Sequence, residues 1–171
     1  MVAMLRGQDV LVALKLLSGE GGRWTYEALG SDLEMSTSGV HNAIHRAGIC
    51  GLVDIGSRRA VRPALAEFLV HGIRYVFPAE RGPRGRGVVT GPSASPLADH
   101  IASSGDSPIV WAYPHGDVRG DSIAPIYPTV PEAALADPEL HALLALVDGI
   151  RLGGARLRSK AAELLAERLA R

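Results

Sequence analysis

A chain of 171 residues that is 47% hydrophobic and 21% charged, with 18 Lys+Arg set against 18 Asp+Glu, has the composition of one compact domain or a small domain with an appendage, which excludes a disordered chain and a multidomain machine. Its single cysteine, Cys50, excludes an intrachain disulfide framework and a multi-cysteine zinc module, and makes a reducing compartment, the cytoplasm, the expected location. No apolar run approaches the roughly 20 residues of a membrane span, and Met1 to Leu17 carries Arg6, Asp9 and Lys15 without a small-residue cleavage site, so neither a membrane partner nor a signal peptide is expected.

Gln8 to Ser18 places Val10, Leu11, Leu14 and Leu17 at helical spacing ahead of a glycine cluster, which predicts a first helix. Thr25 stands as the N-cap of a short helix running through Asp32, with Glu27 in its first turn and Ala28, Leu29 and Leu33 turned inward. Ser36 then caps a helix from Thr37 to Ala47 whose apolar stripe is Val40, Ala43, Ile44 and Ala47, and Gly48 and Gly51 end it. Leu52 to Ile55 is a candidate strand. Arg58 to Gly72 reads as a fourth helix with Val61, Leu65, Phe68 and Leu69 inward and Pro63 in its opening turns.

Arg74 to Phe77 and Val88 to Thr90 are strand-like, and Pro78 to Gly87 between them reads as the arginine-rich tip of a hairpin. Gly91 to about Pro128 is rich in Gly, Pro, Ser and Asp and reads as a loop-rich connection with one strand, Ile109 to Tyr113. Asp137 and Pro138 form an N-cap and N1 pair that opens a helix through Leu140, Leu143, Leu144, Val147 and Ile150 to about Leu152. A last helix, Ala155 to Leu169, carries Leu157, Ala161, Leu164 and Leu165 on one side. The expected fold is mainly α with a small β component, divided into residues 1–90, a loop-rich acidic connection over 91–130, and a C-terminal helical pair over 131–171.

The balanced net charge conceals segregation along the chain. Met35 to Arg86 holds eight basic residues against three acidic, Asp99 to Asp148 holds eight acidic against Arg119 alone, and Arg151 to Arg171 holds six basic against two acidic. The first block is a candidate polyanion-facing region, although solvated charged faces without a partner would give the same pattern.

If Val40, Ala43, Ile44 and Ala47 face the core, then Thr37, Ser38, His41, Asn42 and His45 face out, on a helix face without Asp or Glu. Asn pairs bidentately with adenine, Ser and Thr accept several partners, and Arg46 near the helix end is in reach of phosphate. A solvated helix face in a protein-binding domain is the alternative. In the spacing of its two caps, of Gly30 where the helices would cross, and of the apolar Leu29, Leu33, Met35, Val40 and Ile44, the segment Thr25 to Ile44 resembles the helix-turn-helix of bacterial winged-helix transcriptional regulators. Gly48, Leu52 and Val53 resemble the end of that family's reading helix and the start of its wing. Glu34, in a turn where the broader family often has glycine, and Gly39, inside the reading helix, depart from the pattern. The resemblance implies an N-terminal winged helix-turn-helix over residues 1–90, double-stranded DNA as the partner, and a homodimer reading a palindromic site.

Arg81, Arg84 and Arg86 on the expected hairpin tip would enter a minor groove or neutralise phosphates, or belong to a mobile loop. A wing normally follows the reading helix directly, so Leu52 to Ile55 begins the wing or the arginine tip serves another arrangement. Arg58, Arg59 and Arg62 would hold phosphate or simply be solvated. His41 and His45, four residues apart, lie near Cys50 but lack a fourth metal ligand. His100, His115, Asp117 and Asp121 fall in irregular sequence, and no nucleophile elbow, phosphate-cradling loop or metal motif accompanies them. No enzymatic activity, metal or cofactor is therefore expected.

Trp111, Tyr113 and Tyr127 would line an effector pocket, pack on the N-terminal part or anchor a partner. The C-terminal helices offer a dimer seam or an intrachain pair. Three readings follow: a sequence-specific DNA-binding regulator, an antitoxin-like DNA-binding protein that also wraps a toxin, and a winged helix used only for protein contact.

Overall fold

In the computed structural model, which describes residues 4–19, 24–102 and 105–170, α1 (Gly7–Ser18) opens with a reciprocal cap in which the Arg6 backbone amide donates to Asp9 at 2.8 Å. Every residue from Asp9 to Leu14 is buried, so α1 is enclosed on more than the single stripe its leucines suggest. It packs on α3 (Thr37–Ile49) and on α7 (Pro138–Leu152). Between α1 and α3 runs α2 (Tyr26–Leu33), capped as expected by Thr25, whose hydroxyl accepts from the Ala28 amide at 3.0 Å. Leu29 and Leu33 are buried, but Ala28 is exposed and Gly30 takes the inward place.

The strand β1 (Val53–Asp54) follows α3 directly and pairs antiparallel with β2 (Arg59–Ala60) across a four-residue turn. The fourth helix begins after this hairpin, not at Arg58. It comprises α4 (Arg62–Glu67), a π-helical segment Phe68–Gly72 and α5 (Ile73–Val76). Arg74 to Phe77 is thus helical up to Val76 instead of a strand. Its β-favouring side chains are overridden because Ile73 continues the buried row of Leu65 and Leu69.

The segment expected as a hairpin tip is itself a nine-residue strand, β3 (Arg81–Val89). It pairs antiparallel with β4 (Ile109–Ala112) on one side and β5 (Val118–Ile123) on the other; β4 and β5 meet in parallel, closing a three-stranded barrel. At two positions the paired strands come too close for a side chain. A Cβ on Gly87 would lie 2.0 Å from the Trp111 carbonyl oxygen, and one on Gly120 would lie 2.1 Å from that of Pro108. The glycines that read as loop markers are therefore what lets these strands approach. The region expected as a loop-rich connection contributes two of the three strands, and a division at residue 90 separates β3 from both its partners.

After α6 (Val130–Ala136), Asp137 caps α7 with Pro138 in its first turn, as the sequence predicts. Every residue from Leu143 to Arg151 is buried, and α7 contacts α1, α5, α6 and α8 (Ala155–Leu169). It is a central helix enclosed by its own chain, so the C-terminal pair is intrachain and α7 offers no dimer seam. Its Asp148 carboxylate accepts from Trp111 Nε1 at 2.7 Å and Thr90 Oγ1 at 2.8 Å and pairs with Arg151, which also donates to the carbonyls of Phe77 and Ala124. Trp111, fully buried, thus pins the barrel to α7; Tyr113 and Tyr127 pack partly buried against the same core. Among the described residues, no helix is long and apolar enough to cross a membrane.

Candidate nucleic-acid interface

The geometry of α3 is set by the turn before it. Glu34 ends α2 in the left-handed conformation (φ 52°, ψ 42°), and the Met35 amide donates back to the Gly30 carbonyl at 2.8 Å. A Cβ on Gly30 would sit 2.6 Å from the Met35 carbonyl oxygen, so the glycine is required where the chain folds over α2. The Ser36 hydroxyl accepts from the Gly39 amide at 3.1 Å and fixes the first turn of α3.

Val40, Ala43, Ile44 and Ala47 are buried, while Thr37, Ser38, His41, Asn42 and His45 are all exposed. These five polar side chains share the outward face the sequence assigns them. Arg46 does not join them. Its guanidinium holds the fully buried Asp9 of α1 through Nε at 2.9 Å and Nη2 at 2.7 Å. The hydrogen bond to Asp9 pushes the pKa of Arg46 up. Arg46 is therefore a structural tie between α1 and α3 and not a free phosphate ligand; removing it would strand a buried carboxylate at a cost of about 3–5 kcal/mol.

The β1–β2 hairpin is shaped by Asp54, which accepts from the Ser57 hydroxyl at 2.7 Å and the Gly56 amide at 3.0 Å. The Ser57 hydroxyl, then the Gly56 and Ser57 backbone amides, lower the pKa of Asp54. Arg58, in the turn, has φ 57°, and its guanidinium lies 5.7 Å from the Trp24 ring centre and 5.8 Å from that of Tyr26. Trp24 donates its indole N–H to the Arg58 carbonyl at 3.1 Å, and Tyr26 meets the His41 ring edge-on at 5.2 Å. Trp24 and Tyr26, which sequence reasoning passed over, thus connect the hairpin turn to α3. Their spacing on either side of the Thr25 cap was the available signal.

Arg59 is exposed beside Arg58 on β2. Arg62 is directed elsewhere, donating to the Leu169 carbonyl at the end of α8 at 2.9 Å. Arg81, Arg84 and Arg86 stand on β3, apart in sequence and element from α3 and its hairpin; all three are exposed, and Arg81 reaches Asp121 at 3.4 Å. Among the described residues, no group of three or more His, Cys, Asp or Glu side chains is placed to hold a metal ion.

The arrangement offers a polar helix face, backed by the core, beside a hairpin that carries Arg58 and Arg59. Comparison of the chain with protein-family models, with characterised proteins and with solved structures finds no significant match.

Proposed function

We propose that the protein is a sequence-specific double-stranded DNA-binding regulator of the winged-helix type, with α3 as the reading helix and the β1–β2 hairpin as the wing. The observation that carries this reading is the carboxylate-free outward face of α3, with Thr37, Ser38, His41, Asn42 and His45 exposed, next to a hairpin that presents Arg58 and Arg59. Hydrogen-bonding side chains at the start of a helix are what base edges in the major groove take up. Arginines on an adjoining hairpin supply the phosphate or minor-groove contact that fixes its register. Two copies would read a palindromic site, and their seam would lie on faces other than α7.

The test is binding of the purified chain to random and genomic duplex pools at two salt concentrations, with solution mass measured alongside. Enrichment of one palindromic sequence by a dimer, with log affinity falling linearly in log salt, is expected. Asn42→Ala should relax preference at one base position by about 1–3 kcal/mol. Failure to enrich any sequence at low salt would overturn the reading in favour of a protein-binding role.

A further inference from the structure

The β3–β5 pair carries a second cationic surface that the sequence reading only half contains. In the antiparallel register Arg86 lies opposite Arg119, and Arg84 lies opposite Asp121. Side chains alternate along a strand, so Arg84, Arg86 and Arg119 share the outer face, while Gly85, Gly87 and Gly120 turn to the opposite one. All three arginines are exposed, and among the described residues none of their guanidinium groups forms an ion pair. The carboxylate on that face, Asp121, is engaged by Arg81 at 3.4 Å.

Like charges directly opposite each other on paired strands are destabilising. Here one of the two comes from the acidic block between Asp99 and Asp148, whose single basic residue is Arg119. As cross-strand partners with Cβ atoms about 5 Å apart, Arg86 and Arg119 can close on one phosphate. Arg84, about 7 Å further along its strand, reaches the next. The surface is a ribbon and not a walled cavity, so it fits an extended polyanion better than a compact one.

We propose that this ribbon face is a separate phosphate-backbone contact for duplex DNA, formed by Arg84, Arg86 and Arg119. The proposal rests on the reading of the chain as a DNA-binding protein and adds a contact outside α3 and its wing.

The experiment measures the salt dependence of full-chain binding to a random-sequence duplex and to the duplex the native chain prefers. The variants are the triple Arg84→Ala, Arg86→Ala, Arg119→Ala and the single Arg86→Glu, with Asn42→Ala for comparison. The triple variant should lose about 1.8 from the slope of log affinity against log salt, roughly 0.9 for each of the two phosphates contacted, with sequence preference retained. Arg86→Glu sets opposite charges across the strands, so it should keep or raise the melting temperature while weakening binding to both duplexes. An unchanged slope in the triple variant, with native binding intact, overturns the ribbon contact and leaves the reading helix standing. A reduced slope together with an unaltered preference in Asn42→Ala supports the ribbon and overturns the assignment of Asn42. No duplex binding by the native chain overturns both.

Discussion

Glu34 occupies backbone space that suits glycine, with φ 52° and ψ 42°. The conformation is imposed from both sides: α2 must end where Gly30 meets the Met35 carbonyl, and α3 must begin at its Ser36 cap. A left-handed residue with a Cβ costs about 1–2 kcal/mol, and part of that gain would be offset by the greater unfolded-state freedom of glycine. Glu34→Gly is therefore expected to raise stability by about 0.5–1 kcal/mol, read as a higher denaturation midpoint with unchanged denaturant dependence. A lower midpoint would mean that the Glu34 side chain makes a contribution its exposed position does not explain. Arg58 has the same backbone character at φ 57°, but its guanidinium lies against the rings of Trp24 and Tyr26 and its carbonyl accepts from Trp24, so replacement there would remove packing along with strain.

Among the elements, α1, α2 and α7 are joined by a small ionic cluster. Lys15 donates to Asp137 at 2.8 Å and lies 3.2 Å from Asp32, and Ser18 also donates to Asp137. For Asp137, desolvation by burial works to raise the pKa, yet bonds from Lys15, the Leu140 amide and Ser18 outweigh it and the pKa is lowered. For Lys15, desolvation works to lower the pKa, and the bonds and charges of Asp137 and Asp32 raise it. A depressed acid contributes stability that is present above its unfolded pKa of about 4 and is lost as pH falls through its folded value. The raised lysine contributes fully below about pH 10.4 and loses that contribution as pH rises through its folded value. Asp137→Asn keeps a capping side chain but removes the charge, so the native protein should be the more stable near neutrality. The gap should narrow as pH falls below about 4. A gap independent of pH in urea melts would show that shape, not charge, holds the cluster.

Elements with a helical period and a chemical cap were legible: Thr25, Ser36 and Asp137 mark the starts of three helices, and the stripe Val40, Ala43, Ile44, Ala47 gives the outward face of α3 without any tertiary information. What was not legible depends on contacts distant in sequence. Arg-Tyr-Val at 74–76 favours a strand locally, but the burial of Leu65, Leu69 and Ile73 carries the helix onward through a π-helical segment. Val118 to Ile123 hides its alternation because Gly120 stands where Pro108 of the neighbouring chain segment leaves no space for a Cβ. Arg46 reads as surface charge until α1 brings the buried Asp9 beneath it. Arg119 reads as an isolated base in an acidic stretch until the register sets it opposite Arg86.

Across the whole molecule these ties run in series from α3 to the barrel. Arg46 joins α3 to α1 through Asp9, Lys15 joins α1 to α7 through Asp137, and Asp148 joins α7 to β4 through Trp111. Apolar packing follows the same route, with Val10 to Leu14 of α1 and Leu143 to Ile150 of α7 buried in one continuous core. A fragment ending at residue 90 would therefore keep α1 to α3 and the hairpin but expose the side of α1 that α7 covers. It would also retain β3 as a strand with neither partner, an edge that invites association with other chains. Such a fragment is expected to lack a cooperative denaturation transition and to aggregate, where the full chain unfolds in one step. A sharp transition in the fragment, with helical circular dichroism like that of residues 1–90 in the full chain, would instead make the N-terminal part an autonomous unit. In the expected outcome, α3 and the arginine ribbon are held by the same core, so the ribbon contact would require little further ordering once α3 is engaged.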